Sequence, residues 1–460
     1  MLAVRRSALY LTAAIACCLL IGGCGGAQSR LAGHMRRGQE YFSKGDFARA
    51  GLEFRNALLI APNDPDALVM AGRTAESLGR LPQAAGAYSA AIEAAPNNVE
   101  ARAHLAHILV LARSPESALK TLEPAIAKHP DDVRLLIYRA TAQSQLGNQA
   151  AAVADIDHAL RLEPANEEAV AVRAAMYRDA RDFPAAEALV SGALQQQPGS
   201  LPLREILADL YVAAGEPGKA EEQLRTLIRL KPQHGRYREQ LALFYLGQNR
   251  LDDARHVLEE NVRALPQSDD AKLKLADFLA VHRGAAQGER VLQEFIAKDP
   301  NNYDLRLGLG ALQQRAGETR QALATYQEII RRDGTGVHGL LARDRAAAVA
   351  VAEGRYDDAG KLLAEVLREN PRDAEALTLR GEIEYARGNN ADAIADFRVV
   401  LRDQPQLLAV HRLLARAYAA NGQTSLAEES YRSALTLAPQ DAGLQIELAQ
   451  LLQMHEPKQA

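Results

Sequence analysis

The sequence predicts an all-α solenoid of about twelve helix–turn–helix pairs, and three observations predict it. Eleven prolines fall on a 34-residue grid: Pro62, Pro96, Pro130, Pro164, Pro198, Pro232, Pro266 and Pro300, then, after one defect, Pro371, Pro405 and Pro439. Two columns of small residues recur within that period, and a large apolar residue follows the second column by one helical turn. Such a period belongs to stacked helix pairs, each burying its apolar face only against its neighbours.

The first 23 residues stand apart from this pattern. Met1 to Arg6 is short and basic, Ser7 to Leu20 is apolar, and Ile21-Gly22-Gly23-Cys24 closes the segment, an order that reads as a secretory leader. Small residues before a cysteine resemble the processing box of bacterial lipoproteins, which implies that Cys24 is lipidated and becomes the new N-terminus. Gly25 after it implies, by the same resemblance, an outer-membrane lipoprotein facing the periplasm. The alternative is an uncleaved anchor, because Ser7 to Gly23 sits at the lower edge of a membrane span. All three cysteines (Cys17, Cys18, Cys24) lie here, so the body has no thiol to oxidise on export. Residues 24–30 then form a linker reaching at most about 25 Å, which holds the first repeat close to the lipid.

Setting each proline at repeat position 32 starts the repeats at residues 31, 65, 99, 133, 167, 201, 235, 269, 303, 340, 374 and 408. Position 8 is always Gly or Ala (Gly38, Gly72, Ala106 and onward to Ala415), and position 20 is Ala from Ala50 to Ala427 with one exception, Gly288. Small columns of this kind are what two antiparallel helices need where their axes come closest. Position 24 is large and apolar, as in Phe54, Tyr88, Leu122 and Tyr431, and forms with position 28 the buried stripe of the second helix. Between the helices position 15 carries a stop that tolerates positive φ: Gly45, Gly79, Gly147, Gly215, Gly317, Gly354, Gly388, Gly422, and Asn249 in a ninth repeat. Ser114-Pro115 reads as an N-cap followed by a first-turn proline. Pro62 and its equivalents end the second helix.

The grid fails once. Gly334 takes the proline slot, three extra residues follow, and Asp333 to Gly339 contains three glycines. A weakened neighbour interface splits a solenoid's cooperativity, so this is the expected joint between repeats one to nine (31–336) and ten to twelve (337–441), open to proteolysis between Arg332 and Leu340. Residues 442–460 supply an amphipathic capping helix around Leu444 to Met454, with Leu448, Leu451 and Leu452 over the last repeat, and then a tail.

The small residue at 8, Tyr at 11 (Tyr41, Tyr177, Tyr211, Tyr245, Tyr418), Ala at 20, the bulky residue at 24 and Pro at 32 resemble the tetratricopeptide repeat (TPR) family. The departure is position 4, where the family favours Trp and this chain has none. The resemblance implies a right-handed superhelical solenoid whose first helices line a concave groove, with positions 5 and 9 pointing into it. It implies a scaffold for protein partners and no enzyme. The family's clamp for chaperone C-termini needs Asn at positions 6 and 9; position 6 runs Arg36, Met70, His104, Tyr138 and on without one, so that docking is not expected. Gly38 to Phe42 and Arg55 to Leu58 are similar in style to TPR lipoproteins that accompany exopolysaccharide export and exosortase (PEP-CTERM) systems. Two other readings stay open: an accessory to outer-membrane protein, pilus or secretin assembly, and a glycan-binding or processing protein. Sparse aromatics and the missing Trp count against stacked sugar subsites.

Net charge is −4, and removing a leader with Arg5 and Arg6 takes the side chains to −6, so no basic footprint for nucleic acid exists. The sequence holds no His-Glu-x-x-His, no Gly-x-Ser-x-Gly and no phosphate-binding glycine loop, and neither catalysis, a small-molecule substrate nor a cofactor is expected. His104 and His107, with Glu100 a turn earlier, have a spacing that could present metal ligands, but nothing nearby completes a closed site.

The groove positions fall into zones. Positions 5 and 9 of repeats one to five hold no acid, whereas those of repeats six to eleven include Glu205, Asp209, Glu239, Asp277, Asp344 and Glu382 and no base. Repeat twelve turns basic with Arg412 and Arg416. Acids at position 2, such as Glu100 and Glu375, are set aside because the first turn of any helix favours negative charge. The six acids at 5 and 9 are either a solvated face or a groove that attracts a basic segment of a protein partner.

Overall fold

A computed structural model describes residues 26–455. The leader, Cys24 and the last five residues lie outside the described residues. All described secondary structure is helical, and the chain divides into two compact units at Leu230/Lys231.

The first unit opens with α1 (residues 26–43), which begins inside the stretch expected to be linker. It continues with α2 (Phe47–Ile60), α3 (Pro65–Ser77), α4 (Leu81–Ala94), α5 (Val99–Leu111), α6 (Pro115–Ile126) and α7 (Val133–Gln145). Then come α8 (Gln149–Leu162), α9 (Glu167–Asp179), α10 (Phe183–Gln196), α11 (Leu201–Ala214) and α12 (Pro217–Leu230). The second unit holds α13 (Gly235–Gly247), α14 (Leu251–Ala264), α15 (Asp269–Arg283), α16 (Ala285–Lys298), α17 (Tyr303–Arg315) and α18 (Thr319–Asp333). It ends with α19 (Val337–Ala352), α20 (Tyr356–Glu369), α21 (Ala374–Ala386), α22 (Asn390–Asp403), α23 (Leu408–Ala420), α24 (Thr424–Leu437) and α25 (Ala442–His455). Each repeat is one odd-numbered and one even-numbered helix, in the register that the proline grid sets.

Packing explains the residue choice at position 8. Where position 24 is Phe54, Tyr88, Tyr326 or Phe397, position 8 is Gly38, Gly72, Gly310 or Gly381, and a methyl group built on any of these glycines would come closer than 3.0 Å to its ring. Opposite the aliphatic residues at position 24, the same position is Ala: Ala106 faces the repeat of Leu122, and Ala140 that of Ile156. Gly and aromatic thus trade volume within these four repeats, while repeat twelve keeps Ala415 beside its Tyr431. The column at position 20 is fully buried from Ala50 to Ala427, and its exception, Gly288, lies so close to the Ala276 carbonyl that even Ala would clash.

The turns follow the expected chemistry with two additions. Position 15 has positive φ at Gly45, Gly79 and their equivalents and at Asn249, but Arg113 (φ 56) and Arg181 (φ 59) adopt it too, where a side chain costs roughly 1–2 kcal/mol. Ser114 stands at the N-cap of α6, yet its side chain accepts no capping hydrogen bond. At the same repeat position Asp46 and Asp182 do cap α2 and α10, and most other caps lie two residues after the prolines, where Asp64, Asn98, Asp132, Asn166, Ser200, Ser268, Asn302 and Asp373 accept from the first-turn N–H groups of the next helix. Each such cap is worth about 1 kcal/mol.

At Gly334, the expected joint, side chains tie the corner. The chain's unit boundary lies about a hundred residues earlier, at Leu230/Lys231, and the three extra residues lengthen α19, which has 16 residues where most first helices have 13. Asp333 accepts the Gly339 N–H at 2.8 Å, and the buried Arg343 guanidinium donates to the carbonyls of Gly334 (2.5 Å) and Gly339 (3.0 Å) and to Glu365 (2.7 Å). At the C-terminus α25 covers the last repeat as expected, with Leu444 and Leu451 buried and Leu448 packed on the same core.

Candidate partner-binding groove

Within each unit the first helices of successive repeats touch one another, as α5 with α7 and α7 with α9, or α17 with α19 and α19 with α21, whereas the second helices make no comparable contacts. First helices therefore form the inner layer. Their exposed faces line clefts: one of about 520 Å³ is bounded by Met35 and Gln39 of α1, Val69, Met70 and Arg73 of α3, and Glu100 of α5. Positions 5 and 9 do face a groove there, joined by positions 2 and 6.

In the first unit this face is less neutral than positions 5 and 9 suggest. Glu76 of α3 accepts from Tyr88 Oη (2.8 Å), pairs with His104 Nδ1 (3.0 Å) and approaches His107 Nδ1 (3.5 Å). His104 stacks on Tyr88 and His107 on Tyr138, each with ring centroids 5.1 Å apart. His104 and then His107 hold the Glu76 carboxyl far below the usual range, and Glu76 in turn raises the His107 imidazole against the opposing effect of burial. Burial pushes Tyr138 up to about 12. Glu100, a turn before the two histidines, pairs with Arg73 at 3.2 Å. Among the described residues no three His, Cys, Asp or Glu side chains are arranged to hold a metal ion.

The six groove acids have different fates. Glu205 and Asp209 lie one turn apart on α11 of the first unit; Asp209 is raised by the surrounding protein and by Glu205, with Arg178 opposing. The other four belong to the second unit. Glu239 is paired with Lys274 at 2.6 Å and Asp277 with Arg315 at 2.5 Å, so neighbouring repeats neutralise both. Glu382 of α21 is half-buried and raised by burial alone. Asp344 is no surface acid: only 3% of it is exposed and its Oδ1 has no hydrogen-bond partner. Burial first, then Asp373 and Glu375, push its carboxyl up to about 7, with Arg345 opposing.

The position-2 acids do more than favour a helix start. Glu375 accepts from Arg345 at 3.0 Å, and Asp270 takes Lys274 at 2.8 Å. Nor are Arg412 and Arg416 a basic patch. Both bond to Glu447 of α25, which Tyr431 also reaches; against burial, Arg416 and Arg412 hold that carboxyl near 2. The capping helix thus closes the end of the groove with charge as well as with leucine.

This architecture defines the class: an α-solenoid of helix pairs with a polar inner face. Residues 29–170 match the TPR domain of cytochrome c-type biogenesis protein H, and residues 177–243, 284–343, 345–407 and 408–451 match tetratricopeptide repeats. The chain belongs to the tetratricopeptide repeat family, and its fold is consistent with a protein-interaction scaffold.

A DnaJ homolog subfamily C member 7 homolog from Schizosaccharomyces pombe is 42% identical over 59 residues, 13% of this chain and 12% of that protein. Among solved structures, the APC/C Cut9–Hcn1 hetero-tetramer matches at 14% identity and a TM-score of 0.38, covering 91% of this chain and 89% of that one. Yeast Tom70 matches at 17% and 0.40, covering 85% and 88%, and Naa15/Naa10 bound to HypK-THB at 15% and 0.44, covering 87% and 68%.

Proposed function

We propose that this chain is a lipid-anchored scaffold of the bacterial cell envelope that binds a basic segment of a protein partner along the inner face of its first helices. The observation that carries the binding mode is that Asp344 and Glu382, both in the second unit, are carboxylates raised by burial, with no cation within 4.0 Å among the described residues. An anion desolvated without a partner leaves part of its attraction for a cation unused. Exposed Leu243, at position 9 of repeat seven, adds an apolar contact on the same face. The leader, the Gly-Gly-Cys ending and the cysteine-free body support attachment through Cys24 to the outer membrane, facing the periplasm.

A photo-crosslinking residue placed at Leu243 in living cells should capture a partner peptide rich in Lys and Arg, and one at the exposed Leu59 of the second helix α2 should not. Equal capture from both sites would refute groove binding. Cys24→Ser should release the protein from membranes or stall its processing; unchanged fractionation with an intact leader by mass spectrometry would favour the uncleaved anchor. Within this reading exopolysaccharide export is the envelope process proposed first. A second reading, a role in cytochrome c-type biogenesis, is favoured by the match of residues 29–170. Deleting the chain separates them: lost polysaccharide secretion supports one, lost c-type cytochromes the other.

A further inference from the structure

Asp344 breaks the pattern of its own column. Position 5 of the two preceding repeats is Leu273 and Leu307, and Leu273 packs its methyl group onto Gly308 of the next first helix. Position 5 of the following repeat is Thr378, whose hydroxyl is satisfied by the Ala374 carbonyl of its own helix at 2.7 Å. Asp344 has neither solution: it is buried to the same degree as a core leucine, and its Oδ1 bonds to nothing. A buried acceptor without a partner costs about 1–3 kcal/mol, more for a charge, so an unfilled one implies something to fill it.

The surroundings say what would fit. Near Asp344, the start of α21 presents Glu375 and Asp373, whose Oδ1 caps the helix by accepting from the Glu375 and Ala376 N–H groups and whose Oδ2 accepts from Asn370 Nδ2 at 3.2 Å. On α19 the cation near Asp344 is Arg345, about half exposed, which donates to Glu375. On α17 the residue at the same repeat position is the apolar Leu307, and on α18 Tyr326, which lies near Arg345 and Glu375, has its hydroxyl engaged with Gln314. Three carboxylates therefore meet one exposed guanidinium. An exposed ion pair is worth only about 0–1 kcal/mol, so the Arg345–Glu375 pair is a light cover.

We infer that Asp344, Asp373 and Glu375 form a subsite for one lysine or arginine side chain of a basic partner segment, entered when Arg345 swings off Glu375. This rests on the basic-segment reading proposed above and names its anchor. The partner's cation bonds the free Asp344 Oδ1 and replaces Arg345 between the acids.

The test uses a fluorescent octalysine peptide and the full chain, with binding read by anisotropy at low salt. At pH 8 the Asp344 carboxyl is mostly ionised and at pH 6 mostly protonated, so octalysine should bind several-fold tighter at pH 8. Asp344→Asn should weaken binding about ten-fold at pH 8 and flatten that pH step, Asp344→Glu should restore most of both, and Asp253→Asn, which removes an exposed acid of the second helix α14 already paired with Arg250, should change affinity less than two-fold. Helicity by circular dichroism confirms that each variant is folded. Should Asp344→Asn fail to fold, Arg345→Ala carries the test: uncovering the subsite should tighten octalysine several-fold, and unchanged affinity overturns the subsite. If octalysine binds the native chain but Asp344→Asn binds equally well at both pH values, the anchor is wrong and the basic groove stands. If octalysine does not bind the native chain at all, both fall.

Discussion

Replacing Asp344 by Asn should stabilise the second unit, and by an amount that grows with pH. Its carboxyl moves from the usual 3.8 to about 7 on folding, chiefly through burial. The folded state therefore holds the proton more tightly than the unfolded one, and stability is lost as pH rises from about 4 through 7. At 1.36 kcal/mol per pH unit the full loss is about 4 kcal/mol above pH 7, an upper figure, and about 1.5 kcal/mol at pH 5. Asn has the same shape and cannot ionise, so it keeps the orphaned carbonyl oxygen but avoids that loss. Thermal unfolding by circular dichroism should show the variant close to the native protein at pH 4 and higher by up to roughly 8–16 °C at pH 8, for a unit of this size. A variant that is less stable than the native protein at pH 8, or equally displaced at pH 4 and pH 8, would refute the reasoning.

Gly310→Ala drives a methyl group into the Tyr326 ring and should cost about 1–3 kcal/mol in urea unfolding. Gly86→Ala, in α4 with open space around it, should instead stabilise by about 0.5–1 kcal/mol. Arg343→Ala should remove three charge-assisted bonds, lower stability by about 2–4 kcal/mol, and make residues 333–339 the first site of limited proteolysis, whereas in the native protein hydrogen exchange there should be no faster than in other inter-repeat turns. His107, raised by Glu76, adds stability that is present below pH 6.5 and lost as pH rises through its folded value; Glu76, held low, adds stability present above pH 4.5 and lost only in strong acid. Glu76→Gln should therefore destabilise the first unit near pH 6 and reduce the fall in its melting temperature between pH 6 and pH 8.

The fold is legible because its signals are local to one repeat and are stated many times. The Pro at 32, the small residue at 8 and the stop at 15 each act within a single helix pair, and an error in one register is corrected by the rest. Where a signal appeared once it misled. Ser114 before Pro115 looks like a cap but makes no capping bond, whereas Asp46 and Asp182 at the same repeat position do, and most caps lie in the column two residues past the prolines, which is filled by three different residue types and so is harder to see. Glycines at Gly334, Gly336 and Gly339 look like slack, yet a corner that close-packs backbone carbonyls around one guanidinium needs residues without side chains; Gly339 lies against the Gly334 carbonyl. Nothing in the composition marks the actual unit boundary at Leu230/Lys231, although His234, the residue at the N-cap of α13, fails to cap where Asp, Asn or Ser does so in most other repeats.

The inner face was less legible, and the reason is geometric. Reading positions 5 and 9 one repeat at a time selects carboxylates without the cations that answer them, because those cations come from the next helix pair. Glu239 meets Lys274 35 residues on, Asp277 meets Arg315 after 38, and Arg345 meets Glu375 after 30. All lie near one repeat length, so the useful comparison is each groove residue against its neighbours about 34 positions away. For Asp344 the neighbours are Asp373 and Glu375 ahead and Leu307 behind, and the nearby Arg345 is already committed to Glu375. Burial could not be read from the column, since Glu205 and Glu239 occupy the same position half-exposed. The acid that the repeat pattern ranks as one of six equivalents is thus the one whose surroundings differ most, and its charge is the one whose cost a bound cation would most reduce.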